Sequence, residues 1–210
     1  GREMRSGYDL RTARRSMNLL TIEWQNRGIN MWTIDSGTIN LVKGTATYDL
    51  PADTIDLLEQ VIRTGSGNVS TQSDLTLSRI SVATYATVPN KLSQGRPIQI
   101  YVDRARDNPT ATLWPVPDQG TADSPTYILK YYRMRRIQDA GAGIQTPDVS
   151  FRFLPCLVAG LAYYVAMKDP ELVTRLPISK AAYEEAFELA AGEDREKATI
   201  SLIPRLFGTN

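Results

Sequence analysis

Histidine is absent from this 210-residue chain, and cysteine occurs once, as Cys156. The first absence removes every Ser-His-Asp or Cys-His nucleophile, every HExxH zinc site and every histidine general base. The second removes internal disulfides and thiolate metal cages. Cys156 sits in an apolar stretch, where a buried core thiol is expected rather than a nucleophile. A lone cysteine also fits a reducing cytoplasm. No sign of charge dominates: 24 Lys and Arg face 23 Asp and Glu, a net charge of +1. Overall charge therefore gives no reason to expect tight binding to nucleic acid or membrane. There is no GxxxxGK[ST] loop and no EF-hand loop, and Gly65-Ser66-Gly67 lacks the third glycine and the following helix of a dinucleotide site. No apolar run reaches the ~18–20 residues of a membrane span. No catalytic, cofactor or metal site is expected.

What is present is an ordinary globular composition, with 42% hydrophobic residues. The length allows one large domain or two small ones. The organising stretch is Phe151–Lys168, FRFLPCLVAGLAYYVAMK, uncharged from Phe153 to Met167. A helix that is apolar on every side is expected to be surrounded on every side. Ala159, Gly160, Ala162 and Ala166 would let neighbouring backbones approach closely, so this reads as the central helix of a soluble helical core. The opening GREMRSGYD reads either as the continuation of an upstream helix, with Gly1 as its cap, or as a tag remnant.

Taken in order, Asp9–Arg27 reads as a helix capped by Asp9 and stopped by Gly28, with Leu10, Ala13, Met17, Leu20 and Trp24 on its inner face. Arg11, Arg14, Arg15 and Asn18 lie largely off that face, a solvated or subunit-facing surface being preferred over DNA contact. Trp32–Ile34 and Ile39–Val42 are rich in β-formers, and Lys43-Gly44 predicts a hairpin into Ala46–Leu50. A strand is expected near Leu57–Ile62, then a protruding polar loop, Thr64–Ser73, that carries Asn68. A short strand over Leu75–Arg79 and a short helix over Ser81–Val88, capped by Ser81, come next. Ile98–Arg104 and Thr110–Val116 form the clearest hairpin, with Ile98, Ile100 and Val102 on one face and Pro115 and Pro117 placing the second strand's end at an edge. Tyr127–Ile137 is a further strand, and Gln138–Thr146 a glycine-rich return to helices. Pro155 is expected in the first turn of the central helix. The last helix runs from Pro177 or Ser179 to about Ala198, its apolar face made by Ala182, Ala186 and Leu189 with Tyr183 and Phe187 beside it.

The class is therefore α+β: a helical bundle, residues 1–30 and 147–198, with an inserted antiparallel β-sandwich or small barrel, residues 31–146, and an extended C-terminal tail, residues 199–210. That tail carries Ile200, Leu202, Ile203, Leu206 and Phe207, too apolar to wave in water and too short to fold alone. These five residues and Asn68 are the candidates for docking on partners.

Carboxylates that could serve glycoside hydrolysis occur as Asp53/Asp56, Asp103/Asp107 and Glu184/Glu185/Glu188, with ordinary surface acids as the plainer reading. Arg133, Arg135 and Arg136 follow Tyr131 and Tyr132, a mixture that can suit nucleic acid. On a strand Arg133 and Arg135 share a face while Arg136 points away. Arg133 and Arg135 are thus candidates for facing DNA, against a plainer reading as a solvated or subunit-contacting strand end.

The combination GYDLRTARRSMNLLTIEWQNRGINMW, GTATYDLP, GRPIQIYVDR, LWPVPD, YYRMRRIQD and FRFLPCLVAGLAYYVAMK resembles the head-to-tail adaptors of short-tailed bacteriophages, the tail tubular protein A or gatekeeper group. The resemblance covers most of residues 7–198. It implies a non-enzymatic virion protein assembled in the bacterial host cytoplasm and placed at the head–tail junction, in a ring of about a dozen copies. The implied partners are other copies of the chain, the portal protein above, the tail nozzle or tube below, and double-stranded DNA that passes through without sequence reading. Such a ring also helps to retain the packaged genome. A head-completion or tail-tube protein of the same particle is the alternative, with a glycan-binding or glycan-hydrolysing protein behind it.

Overall fold

The computed structural model describes residues 7–29, 31–137 and 148–193. In chain order its elements are α1 (Gly7–Asn26), a 3-10 turn (Met31–Thr33), β1 (Ile34–Asn40), β2 (Thr47–Asp49), β3 (Thr54–Thr64), β4 (Ser73–Thr76), β5 (Ser78–Arg79), α2 (Val82–Ala86), β6 (Gln99–Asp103), β7 (Thr110–Trp114), β8 (Tyr127–Arg135), a 3-10 turn (Phe151–Phe153), α3 (Leu154–Ala166), a 3-10 segment (Pro170–Arg175) and α4 (Leu176–Glu193). The fold is α+β, and among the described residues neither sheet closes into a barrel. The chain divides into two compact units, one of Gly1–Met31 with Asp139–Asn210 and one of Trp32–Gln138.

In the helical unit α3 packs against both α1 and α4. Asp9 is the third residue of α1, so it lies inside the first turn and does not cap it. At the other end Gly28 has φ +87°, the Ile29 N–H reaches the Trp24 carbonyl at 3.0 Å and the Gly28 N–H the Gln25 carbonyl at 3.1 Å. That paired closure ends the helix on the Trp24 and Gln25 carbonyls, at a positive φ that glycine adopts without strain. Pro155 occupies the first turn of α3, where its missing N–H costs no helical bond. Leu20, Trp24, Phe153, Cys156, Leu157, Tyr183 and Phe187 fill the core of this unit, with the Trp24 and Phe153 rings 5.4 Å apart.

Further expectations fail here, beginning with Leu10, expected on the inner face of α1 but 52% exposed. The central helix is not surrounded on every side: Phe151, Leu154 and Val158 are exposed, because α1 and α4 cover only the side bearing Phe153, Cys156, Leu157 and Gly160. On α4 the buried stripe is Tyr183, Phe187 and Ala190, while Ala182 and Leu189 face outward. The large rings set the helix rotation, since they bury more apolar area than alanine.

The β unit holds two four-stranded sheets, ordered β1-β8-β3-β4 and β2-β7-β6-β5. Neighbours are antiparallel except β5 and β6, which run parallel. The long strands β3 and β8 pair from Thr54↔Arg135 to Thr64↔Tyr127, with register shifts near Asp56 and Glu59. Side chains from both sheets form one buried cluster that includes Leu41, Leu57, Ile62, Ile100, Leu113 and Leu129. The chain changes sheets between β4 and β5, at the buried Leu77. Ser81 caps α2, accepting from the Thr84 N–H at 3.1 Å.

The expected hairpin across Lys43-Gly44 does not form. The turn closes, with the Thr45 N–H 3.1 Å from the Val42 carbonyl, but β1 joins β8 and β2 joins β7 in the other sheet. Leu41 and Leu50 both enter the shared core, so the chain crosses between sheets, and the Lys43 and Gly44 N–H groups donate to Gly120 and Pro117. Nor is β7 an edge strand: it lies between β2 and β6 and ends at Trp114, so Pro115 and Pro117 stand beyond the ladder. Ile98 precedes β6 and is exposed, leaving Ile100 and Val102 as that strand's inward residues. The glycine-rich return, the end of the last helix and the C-terminal tail lie outside the described residues.

Candidate assembly surfaces

Inside the helical unit the polar groups satisfy one another. Trp24 Nε1 donates to the Tyr183 hydroxyl at 3.1 Å, and that hydroxyl donates to Glu23 Oε1 at 3.1 Å. The Tyr164 hydroxyl donates to Glu23 Oε2 at 2.6 Å. Arg27 reaches Glu23 at 3.3 Å and Glu184 at 2.7 Å, and its guanidinium stands 3.5 Å above the Phe187 ring. Burial, then the Glu23 contact, pushes the Tyr164 hydroxyl up to about 12, so it stays a donor through the neutral range. This cluster fastens α1, α3 and α4 together; each group is already spent on another, which leaves none poised for acid–base work. Its two halves, residues 23–27 and 164–187, lie more than a hundred residues apart, so no local pattern could have revealed it.

Cys156 is buried beside this cluster, and desolvation drives its thiol up to about 12. A thiol so placed is inert. Lys168 Nζ donates to the fully buried Ser16 hydroxyl at 2.8 Å, another polar group consumed in packing.

The candidate acids are likewise engaged by arginine or open to water. Asp53 pairs with Arg133 at 2.6 Å, Asp56 with Arg79 at 2.6 Å and Arg104 at 3.5 Å, and Glu184 with Arg27. Asp107 lies exposed beside Arg106 at 3.5 Å. Asp103 lines an open depression of about 670 Å³ with Arg79, Tyr101 and Arg104. No group of three or more metal-ligating side chains occurs among the described residues, and no described helix is long and apolar enough to cross a membrane.

Arg133 bridges Asp53 and Asp35, the latter at 3.5 Å, and Arg135 holds Asp35 at 2.9 Å. A phosphate approaching this strand would have to compete with both carboxylates. Asn68 sits in the loop between β3 and β4, its side-chain oxygen accepting from the Ser70 N–H at 2.9 Å, next to a fully exposed Val69. Ile200, Leu202, Ile203, Leu206 and Phe207 lie outside the described residues.

What the helical unit does present is uncovered apolar surface. Phe151, Leu154 and Val158 follow one another at three-and-four spacing, and Phe151 and Val158 are 78% and 69% exposed. Ile178 and Leu189 on α4 and Leu19 and Ile22 on α1 add further exposed apolar groups. Scattered single apolar residues are ordinary on a surface; a stripe of them along one helix is a candidate contact surface.

No curated protein matches the sequence. A family model described as SU10 adaptor protein matches residues 2–203. By this match over nearly its whole length, the chain belongs to the SU10 adaptor protein family, phage structural proteins of the virion.

Proposed function

We propose that copies of this chain form a ring of about a dozen subunits between the portal and the tail nozzle or tube, and that DNA leaves the head through it. The observation that carries this reading is the open face of α3. A helix without charge from Leu154 to Ala166 leaves Phe151, Leu154 and Val158 in water in the isolated chain. Burying each large apolar side chain is worth about 1.5–3 kcal/mol, so contact with another chain is strongly favoured. An adaptor needs surfaces toward its neighbours above, below and beside it, and needs no reactive centre.

In this reading residues 1–30 and 147–198 form the helical bundle, 31–146 the inserted β-sandwich and 199–210 a docking tail. The tail's Ile200, Leu202, Ile203, Leu206 and Phe207, together with the loop at Asn68, take the contacts with portal, nozzle and neighbouring copies. The net charge of +1 suits a duct, because a strongly basic wall would hold phosphates and slow their passage. Arg133 and Arg135 are the proposed DNA-facing pair. Neutralised by Asp35 and Asp53, they would let DNA slide past more readily than they would grip it. A closed ring at the base of the head would also help to retain the genome until ejection.

The test is imaging of the neck in purified particles and of the full chain mixed with its portal protein. Rings of about a dozen copies, seated on the portal, are expected. Absence of the chain from particles, or of rings even with portal present, overturns the proposal. Crosslinks mapped from Asn68 and Phe207 separate an adaptor, which touches both portal and nozzle, from a tail-tube protein.

A further inference from the structure

The helical unit carries two exposed faces of opposite character. On α1, Arg11, Arg15, Leu19 and Ile22 recur at helical spacing on the side away from the buried Leu20 and Trp24. Leu19 and Ile22 are 45% and 49% exposed. On α4, Ile178, Ala182, Glu185 and Leu189 recur in the same way on the side away from the buried Tyr183 and Phe187, with Glu188 along the border. Ile178 and Leu189 are 73% and 72% exposed. One face is apolar and basic, the other apolar and acidic.

Both buried sides turn onto α3, which packs against α1 and against α4, and Trp24 of α1 meets Tyr183 of α4 there. The face opposite each buried side then points away from that shared core, so the two outward faces are separate and turn in different directions. Glu184, nearest the junction, is engaged by Arg27 of the same copy; Glu185, one residue on, turns out to solvent.

We infer that the α1 face of one copy packs on the α4 face of the next, with Arg15 set against Glu185 and Leu19 and Ile22 against Ile178 and Leu189. This rests on the ring reading above and names the contact that builds the ring. Each face meeting its own twin would bring like charges together, which disfavours a two-fold dimer. A contact between two different faces repeats from copy to copy, and it closes into a ring when the rotation allows.

The test uses full-length chain with portal protein. Arg15→Glu and Glu185→Arg are each expected to lower ring yield by about tenfold or more, since like charges then meet at every contact. An equal mixture of the two variants is expected to regain native yield, because altered face meets altered face and native face meets native face around an alternating ring. A second readout uses cysteine pairs, for which the buried Cys156 gives no background. Arg15→Cys with Glu185→Cys in one chain should give an oxidised ladder of many copies, while either substitution alone should give no crosslink. Rings from either charge variant at native yield overturn the inference, as does a mixture that stays ring-free while both variants keep native unfolding midpoints. Self-crosslinking of Arg15→Cys alone, the mark of a two-fold contact, does the same. In those cases native rings persist and the ring reading stands; a native chain that never forms rings on portal removes both.

Discussion

Trp24 Nε1 lies 3.1 Å from the Tyr183 hydroxyl, joining two residues 159 positions apart and tying the first helix to the last. Trp24 is fully buried and Tyr183 nearly so, and water cannot replace either partner. Tyr183→Phe removes the acceptor from the Trp24 N–H and a donor from Glu23 Oε1, while keeping the ring contacts. The expected loss is about 1–3 kcal/mol, the cost of leaving a buried donor unpaired. Urea unfolding followed by tryptophan fluorescence measures it; an unchanged midpoint would show that the hydroxyl is dispensable.

Tyr164 sets an alkaline limit. Burial and its bond to Glu23 raise the hydroxyl from the ordinary 10.0 to about 12 in the folded chain. A raised acid holds its proton more tightly folded than unfolded, so its contribution is complete below the unfolded value and is lost as pH climbs through the folded one. Stability should therefore decline between 10 and about 12. Tyr164→Phe should flatten that decline in urea midpoints taken across the window, and it should delete one late step from the tyrosinate absorbance titration.

Gly160 is where the two flanking helices close on α3. A Cβ there would stand 2.8 Å from both Leu20 methyls and 2.9 Å from the Tyr183 ring. Leu20 is 0% and Tyr183 1% exposed, so both must repack within a filled core, and Gly160→Ala should destabilise by roughly 1–3 kcal/mol despite alanine's better helix propensity. A thermal melt shifted upward would show that propensity outweighs the clash.

How legible the molecule was depends on the range over which each signal acts. Gly28 and Ser81 were readable because a helix stop and a cap are settled within a few residues. The turn at Lys43-Gly44 was readable too, but a turn does not say which sheet receives each strand, and that choice is made by where Leu41 and Leu50 are buried. The prolines after Trp114 suggested an edge because the strand was drawn too long; it stops before them. The apolar helix through Val158 was read as surrounded because composition does not say which side of a helix its neighbours cover; α1 and α4 leave Val158 exposed. Glu23 held by Tyr164 and Tyr183 left no trace in the sequence at all.

The β unit should weaken in acid through Asp53. Burial alone would raise this carboxyl; the hydrogen bond and charge of Arg133, helped by Arg135, outweigh that and hold it below the ordinary 3.8. A depressed acid contributes stability above its unfolded value, and the contribution disappears as pH falls through the lower folded one. Arg133→Gln should cost roughly 1.5–3 kcal/mol at neutral pH, toward the lower end because a third of the Asp53 side chain reaches solvent. It should also make the acid decline shallower, since Asp53 would then titrate nearer its ordinary value. The pairing bears on assembly as well. If Arg133 acts chiefly as the tie between β8 and the carboxylates Asp35 and Asp53, its replacement lowers the urea midpoint and moves acid unfolding to higher pH. If it acts chiefly toward phosphate, both midpoints stay native, and only the salt dependence of DNA binding by assembled rings falls.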